Sequence, residues 1–213
     1  MTKNNRINLF DIDKDFNNAI GAIRKLYFVG SIFIYPTDTV YCVGANPLNL
    51  LAIDRLKQIS RTDISSETTL LVDSVPSLIN YIEIISEKHY EFLTSIWPNP
   101  VNVIFKLNKQ YRNLFGMERA VFKIPNNRFC LKLLSEIGGP LLSINLNNNH
   151  NTCKGYEVFK DEYSELVDAI FYTNKESFND DSALVDLTNN KPIIIKENKF
   201  KLKSFIEDYQ YVS

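Results

Sequence analysis

Glycine is scarce in this sequence. Seven of its 213 residues are glycine, about 3% against roughly 7% in average usage, so a site needing several glycines near phosphates has few to use. Cysteine and histidine are scarce too. Cys42, Cys130 and Cys153 are odd in number, far apart and form no C-x-x-C pair, which argues against a disulfide framework and a zinc knuckle. His89 and His150 are too few for a His-rich metal site; both are expected at the surface or in loops, and no metal ligands are expected. An excess of either charge is missing. Lys+Arg 24 against Asp+Glu 25 leaves −1, so no overall basic field steers the chain to nucleic acid, and a polyanion site has to be a local pocket. No apolar run approaches the roughly 18 residues of a membrane span, and MTKNNRINLF has no apolar core of signal-peptide length. The expectation is a cytoplasmic, reduced protein with no membrane partner.

Hydrophobic residues at 45% and charged residues at 23% are ordinary globular values and exclude wholesale disorder. A chain of this length buries one continuous core, so a single domain over residues 1–213 is expected. Phe16, Ala19, Ile20, Ile23, Leu26 and Tyr27 fall on one helical stripe. SIFIY (Ser31 to Tyr35) is short, β-branched and aromatic, which predicts a strand ending at Pro36. A second helix opens at Asn46 and Pro47, TTLLVDS is the next strand, and a helix starts near Pro76. A further helical stretch ends near Trp97-Pro98 and leads into the strand VNVIFKL, followed by a loop around Gly116. AVFKIP, PLLSI, DAIFY, SALVDLT and PIIIK read as strands, with a helix carrying Phe129, Leu133, Leu134 and Ile137 between the first two, and a short helix at the end. Residues 145 to 155 read as an asparagine-rich loop. Strands alternating with helices predict an α/β fold, and the closely spaced late strands add antiparallel pairs.

Four blocks in order carry a resemblance. PTDTVY follows the first strand; IWPNPVNVIFKL, FKIPNNRFCLKLLSEIGGPLLSINLN and DSALVDLTNNKPIIIK come after it. Together they resemble the YrdC/YciO/TsaC family of threonylcarbamoyl-AMP synthases, over about residues 13 to 196. The resemblance implies a twisted mixed parallel/antiparallel sheet flanked by helices, with a concave ligand cavity. It also implies a reaction joining L-threonine, bicarbonate and ATP, with Mg²⁺, into threonylcarbamoyl-AMP and pyrophosphate. A separate threonylcarbamoyl transferase complex would pass the product to position 37 of tRNA, so tRNA is an indirect partner. No protein nucleophile is implied, because the carbamate of the bound amine attacks the α-phosphate; positioning and charge neutralisation would carry the rate.

By the same resemblance, Thr39, Lys123, Ser143 and Ser182 would bind L-threonine, and Arg61, Asn145 and Lys196 would bind ATP. The residues also allow plainer readings. Thr37 and Asp38 are natural turn caps, and Arg61 suits a helix end as well as a phosphate. Tyr41 fits a cavity wall or a core, Lys196 fits a ligand or an exposed edge, and Ser143 with Asn145 fits the start of a loop. Lys123 stands where the family has arginine, keeping the charge and losing the two-pronged geometry. Ile59, Ser60 and Arg61 stand where the family has Lys-x-Arg, and Lys57 is the nearest substitute for the lost lysine. Ile144 stands where alanine is usual and points to the opposite face from Ser143 and Asn145. Trp97, Val101, Val103 and Phe105 read as core. The leading expectation is a diverged single-domain threonylcarbamoyl-AMP synthase. The competitors are a non-catalytic nucleotide- or RNA-binding relative, a carbamoyl-adenylate enzyme of the hydrogenase-maturation type, and a structural or interaction protein.

Overall fold

Side chains alternate between the two faces of a β-strand, and along SIFIY both faces are apolar. In the computed structural model, which describes residues 7–59, 68–146, 156–175, 182–189 and 191–211, Ile32 and Ile34 enter one core while Phe33 and Tyr35 enter another. All four are fully buried, the pattern of a strand covered on both sides. This strand is β2 (Phe33–Pro36) of a ten-stranded sheet. Its other members are β1 (Asn8–Asp11), β3 (Tyr41–Ala45), β4 (Thr68–Leu71), β5 (Val101–Lys106), β6 (Arg119–Lys123), β7 (Leu141–Asn145), β8 (Ala169–Tyr172), β9 (Ala183–Asp186) and β10 (Ile193–Lys196). The strand order is β1-β8-β2-β3-β7-β4-β6-β5-β9-β10. Pairs β1–β8, β2–β8, β4–β6 and β5–β9 are parallel, and the other five are antiparallel. The sheet is therefore open and mixed, as the sequence predicts.

Among the described residues two helices cover one face: α1 (Phe16–Val29) and α6 (Arg128–Ile137). They pack with Phe33, Tyr35, Leu71 and Phe171. Asp15 caps α1 by accepting the N–H of Asn18, and Gly30, at φ 78°, ends it in the left-handed conformation that favours glycine. Asn127 caps α6 by accepting the N–H of Cys130. The opposite face is covered by α2 (Leu50–Ile59), α3 (Val75–Leu78), α4 (Glu87–Ile96), α7 (Glu157–Tyr163) and α8 (Leu202–Tyr211). Between β5 and β6 stands α5 (Lys109–Phe115). Trp97 is buried and donates its indole N–H to Val101 O at 2.7 Å. Val101, Val103 and Phe105 join the same core, as read from the sequence.

Several elements differ from that reading. β1 is absent from it, and it assigns no element to Tyr41–Ala45, where β3 stands, because four- and five-residue strands are made by their partners and leave little periodicity. Helix α5 replaces part of the expected loop before Gly116, and α7 precedes β8. His89 is not a surface residue: it is 7% exposed on α4, where Ser86 caps its backbone N–H. Tyr41 is core, its ring tilted against that of Phe159 with centroids 4.8 Å apart. His150 lies outside the described residues. Among the described residues no helix is long and apolar enough to cross a membrane.

Candidate functional site

The turn after β2 is closed by its own first residue. The Thr37 hydroxyl donates to Val40 O at 2.7 Å and accepts the backbone N–H groups of Thr39 and Val40, each at 3.2 Å. Thr37 is thus spent on the backbone, as hydroxyls commonly are in turns. With the turn fixed, Asp38 and Thr39 face the last residue of β6.

That residue is Lys123. Its neighbour Phe122 points into the core beneath α2 and α4, so alternation sends Lys123 to the other face. The lysine is only 4% exposed. Its ammonium lies 2.9 Å from Asp38 Oδ1 and donates to Thr39 Oγ1 and Ser182 Oγ, both at 3.3 Å. Burying an ammonium without a counter-charge costs several kcal/mol, and Asp38 supplies that charge. The contact is one of charge: Asp38 Oδ1 is buried and accepts no aligned hydrogen bond. Three of the four residues expected on L-threonine therefore meet at one ammonium, with Asp38, read from the sequence only as a turn cap, as the fourth member. A buried lysine at the end of an apolar strand demands an acid, and that demand is the signal that could have singled Asp38 out.

The fourth expected residue is engaged elsewhere. Ser143, in β7, is 2% exposed and shares a 2.7 Å hydrogen bond with the Tyr35 hydroxyl. Ile144 points into the opposite core, as alternation requires, and Asn145 lies exposed at the strand end opposite Cys42. The Cys42 thiol donates to Asn145 Oδ1 at 3.4 Å. Lys196 is exposed on β10, opposite Leu184 after a bulge in the pairing. Arg61 lies outside the described residues. Lys57 is paired with Asp54 on the surface of α2, its side chain 54% exposed.

On the α1/α6 side of the turn is a cavity of about 590 Å³, lined by Thr37, Asp38, Asn126, Asn127, Arg128 and Lys175 among others. The Arg128 guanidinium stacks over the Phe16 ring at 4.9 Å, and Lys175 reaches Asp13 at 3.5 Å. Asp38 thus has the cavity at one side and Lys123 at the other.

Nearby groups hold their protons. Burial pushes the Cys42 thiol up to about 11, and drives Cys130 and the Tyr35 hydroxyl well above their usual ranges. Cys42 and Cys130 are therefore thiols at neutral pH and poor nucleophiles. Among the described residues no cluster of His, Cys, Asp or Glu could hold a metal ion. What the arrangement offers is positioning by charge and hydroxyl groups.

The fold defines an α/β protein with an open mixed sheet and a polar centre where the ends of β2, β6 and β9 converge. The Sua5/YciO/YrdC family model, described as "Telomere recombination", matches residues 26–198, and the chain belongs to this family. A Haemophilus influenzae protein is 28% identical over 199 residues, covering 89% of this chain and 92% of its own length. A threonylcarbamoyl-AMP synthase from Pseudoalteromonas translucida is 26% identical over 156 residues, 70% of this chain and 83% of that one. The crystal structure of Escherichia coli YciO matches with a TM-score of 0.77 at 23% identity, covering 88% of this chain and 93% of that one. That of Pyrococcus abyssi Sua5 complexed with L-threonine matches with 0.69 at 18% identity, covering 83% of this chain and 53% of that one. Both structures share this protein's fold.

Proposed function

We propose that this protein is an L-threonylcarbamoyladenylate synthase, forming threonylcarbamoyl-AMP from L-threonine, bicarbonate and ATP for the modification of tRNA position 37. The observation that carries the reading is the meeting of Thr39 and Ser182 at the buried Lys123 ammonium. A hydroxyl-bearing amino acid needs such a set: a cation for its carboxylate and hydroxyls for its polar atoms. Membership of the family and a relative named for this activity support it. ATP would lie toward Asn145, with Arg61 and Lys196 as its cationic contacts. The described residues do not fit a resident Mg²⁺ site, so the ion would arrive on the nucleotide phosphates. With Cys42 and Cys130 held as thiols, the protein's contribution is to hold amine, bicarbonate and α-phosphate in line and to neutralise charge.

A second reading has its own observations. Relatives matched over 92% of their length include E. coli YciO, whose name carries no activity, and Ser143 is bonded to Tyr35. A nucleotide- or RNA-binding relative without catalysis fits both. Pyrophosphate release by the purified protein, given ATP, Mg²⁺ and bicarbonate with and without L-threonine, separates the two. Threonine-dependent release is expected; ATP binding with no release would favour the second reading.

A further inference from the structure

The charge balance around Lys123 restricts what this centre can bind. A lone lysine would welcome any carboxylate. Here the ammonium is already neutralised by Asp38 at 2.9 Å, and both side chains are nearly enclosed, 5% and 9% exposed. A simple carboxylate entering this place would add a net negative charge to a buried neutral pair, and a simple amine would add a positive one. Either excess is expensive in a low-dielectric setting. A zwitterion adds nothing net. An α-amino acid carries its two charges across a single carbon, a span matching that of the ion pair. Laid alongside in the opposite sense, it completes a ring of four alternating charges without breaking the pair.

Two further observations point to Asp38 as the reader of the ligand's ammonium. Its Oδ1 is enclosed against Lys123 and accepts no aligned hydrogen bond, so the carboxylate, with about four acceptor positions, keeps capacity for a donor that comes from the cavity. Asp38 also lines the 590 Å³ cavity, from which a ligand can approach it. We propose that Asp38 is a specificity-determining residue that accepts the ammonium group of an α-amino acid, so that the Asp38–Lys123 pair selects zwitterions over ligands carrying only one of the two charges. The inference rests on the proposed function in placing the amino acid at this centre, and it adds the group that recognises the amine.

The test is binding measured by calorimetry, with a non-hydrolysable ATP analogue present. Three ligands are compared: L-threonine, 3-hydroxybutanoate, which lacks the amine, and L-threoninol, which lacks the carboxylate. The wild-type protein is expected to prefer threonine over both by about tenfold to a hundredfold. Asp38→Asn leaves Lys123 unbalanced and is expected to reverse the order in favour of 3-hydroxybutanoate. Lys123→Gln is expected to shift it toward threoninol. Should either single variant fail to fold, the neutral double variant Asp38→Asn/Lys123→Gln is used, and its preference for threonine is expected to disappear. If Asp38→Asn weakens all three ligands equally, or none, the inference is overturned while the synthase reading stands. If the wild type ignores threonine but binds another α-amino acid with the same dependence on Asp38, the proposed substrate falls and the inference survives. Absence of binding across a panel of free α-amino acids overturns the inference.

Discussion

A methyl group added at Gly44 would lie 2.7 Å from Tyr35 Cε1 and 2.9 Å from Phe33 Cε2. Both rings are fully buried, so neither can swing away cheaply. Gly44→Ala is expected to cost about 1–3 kcal/mol, a fall of several degrees in Tm by thermal denaturation. The same crowded face sets the behaviour of the thiols. Burial raises Cys42 to about 11 and lifts Cys130 well above the usual thiol range. A group whose native value is raised contributes stability while protonated, fully below the unfolded thiol's value near 8.5, and loses it as pH climbs through the native value. Urea midpoints are therefore expected to fall between about pH 9 and 11, and to fall less when Cys42 is replaced by alanine. In a Cys153→Ser background, the two remaining thiols should resist a thiol reagent at pH 7 until the chain unfolds.

At the scale of elements, α6 shows how a cap serves both fold and site. Asn127 accepts the Cys130 N–H to start the helix and also lines the cavity beside Asp38. Asn127→Ala should lower stability by about 1 kcal/mol, within a range of 0.5–2, with Asn127→Asp restoring most of it; urea denaturation reads both. Such elements were legible where chemistry and length coincided. SIFIY, VNVIFKL and AVFKIP announce themselves by their density of β-branched and aromatic residues, and the α6 stripe by its spacing. YCVGA was not legible as β3, because it holds a glycine and is made a strand by Tyr35 and Ser143 on either side of it. NLFD was not legible as β1, because its partner, β8, lies some 160 residues onward. The candidate site divides the same way. Motif order brought Thr39, Lys123 and Ser182 forward; the diversion of Ser143 to Tyr35 depends on two strands meeting, which no linear spacing reveals.

For the whole molecule, the two cores share their strands. β2, β3, β4, β7 and β8 each contribute to both clusters, so neither core can dissolve without exposing the other. Trp97 reports one core by fluorescence, and the thiols of Cys42 and Cys130 report the other. Their urea midpoints are expected to coincide in the Cys153→Ser background, as a single cooperative unit requires. Separated midpoints would show two independently stable halves.

The strand order also sets a timetable for a growing chain. β2 and β3 are joined by a short turn and can pair as soon as both have emerged, but β3 waits for β7 and β2 for β8. Among the described residues β1 pairs only with β8, so it too waits until residue 169 exists. Such distant pairing raises contact order and slows folding. A ribosome-bound chain stopped short of β8 would hold the edge of β2, with its two buried aromatics, open to any passing strand. Protection of that edge by a chaperone should matter most in the interval before β8 has been synthesised.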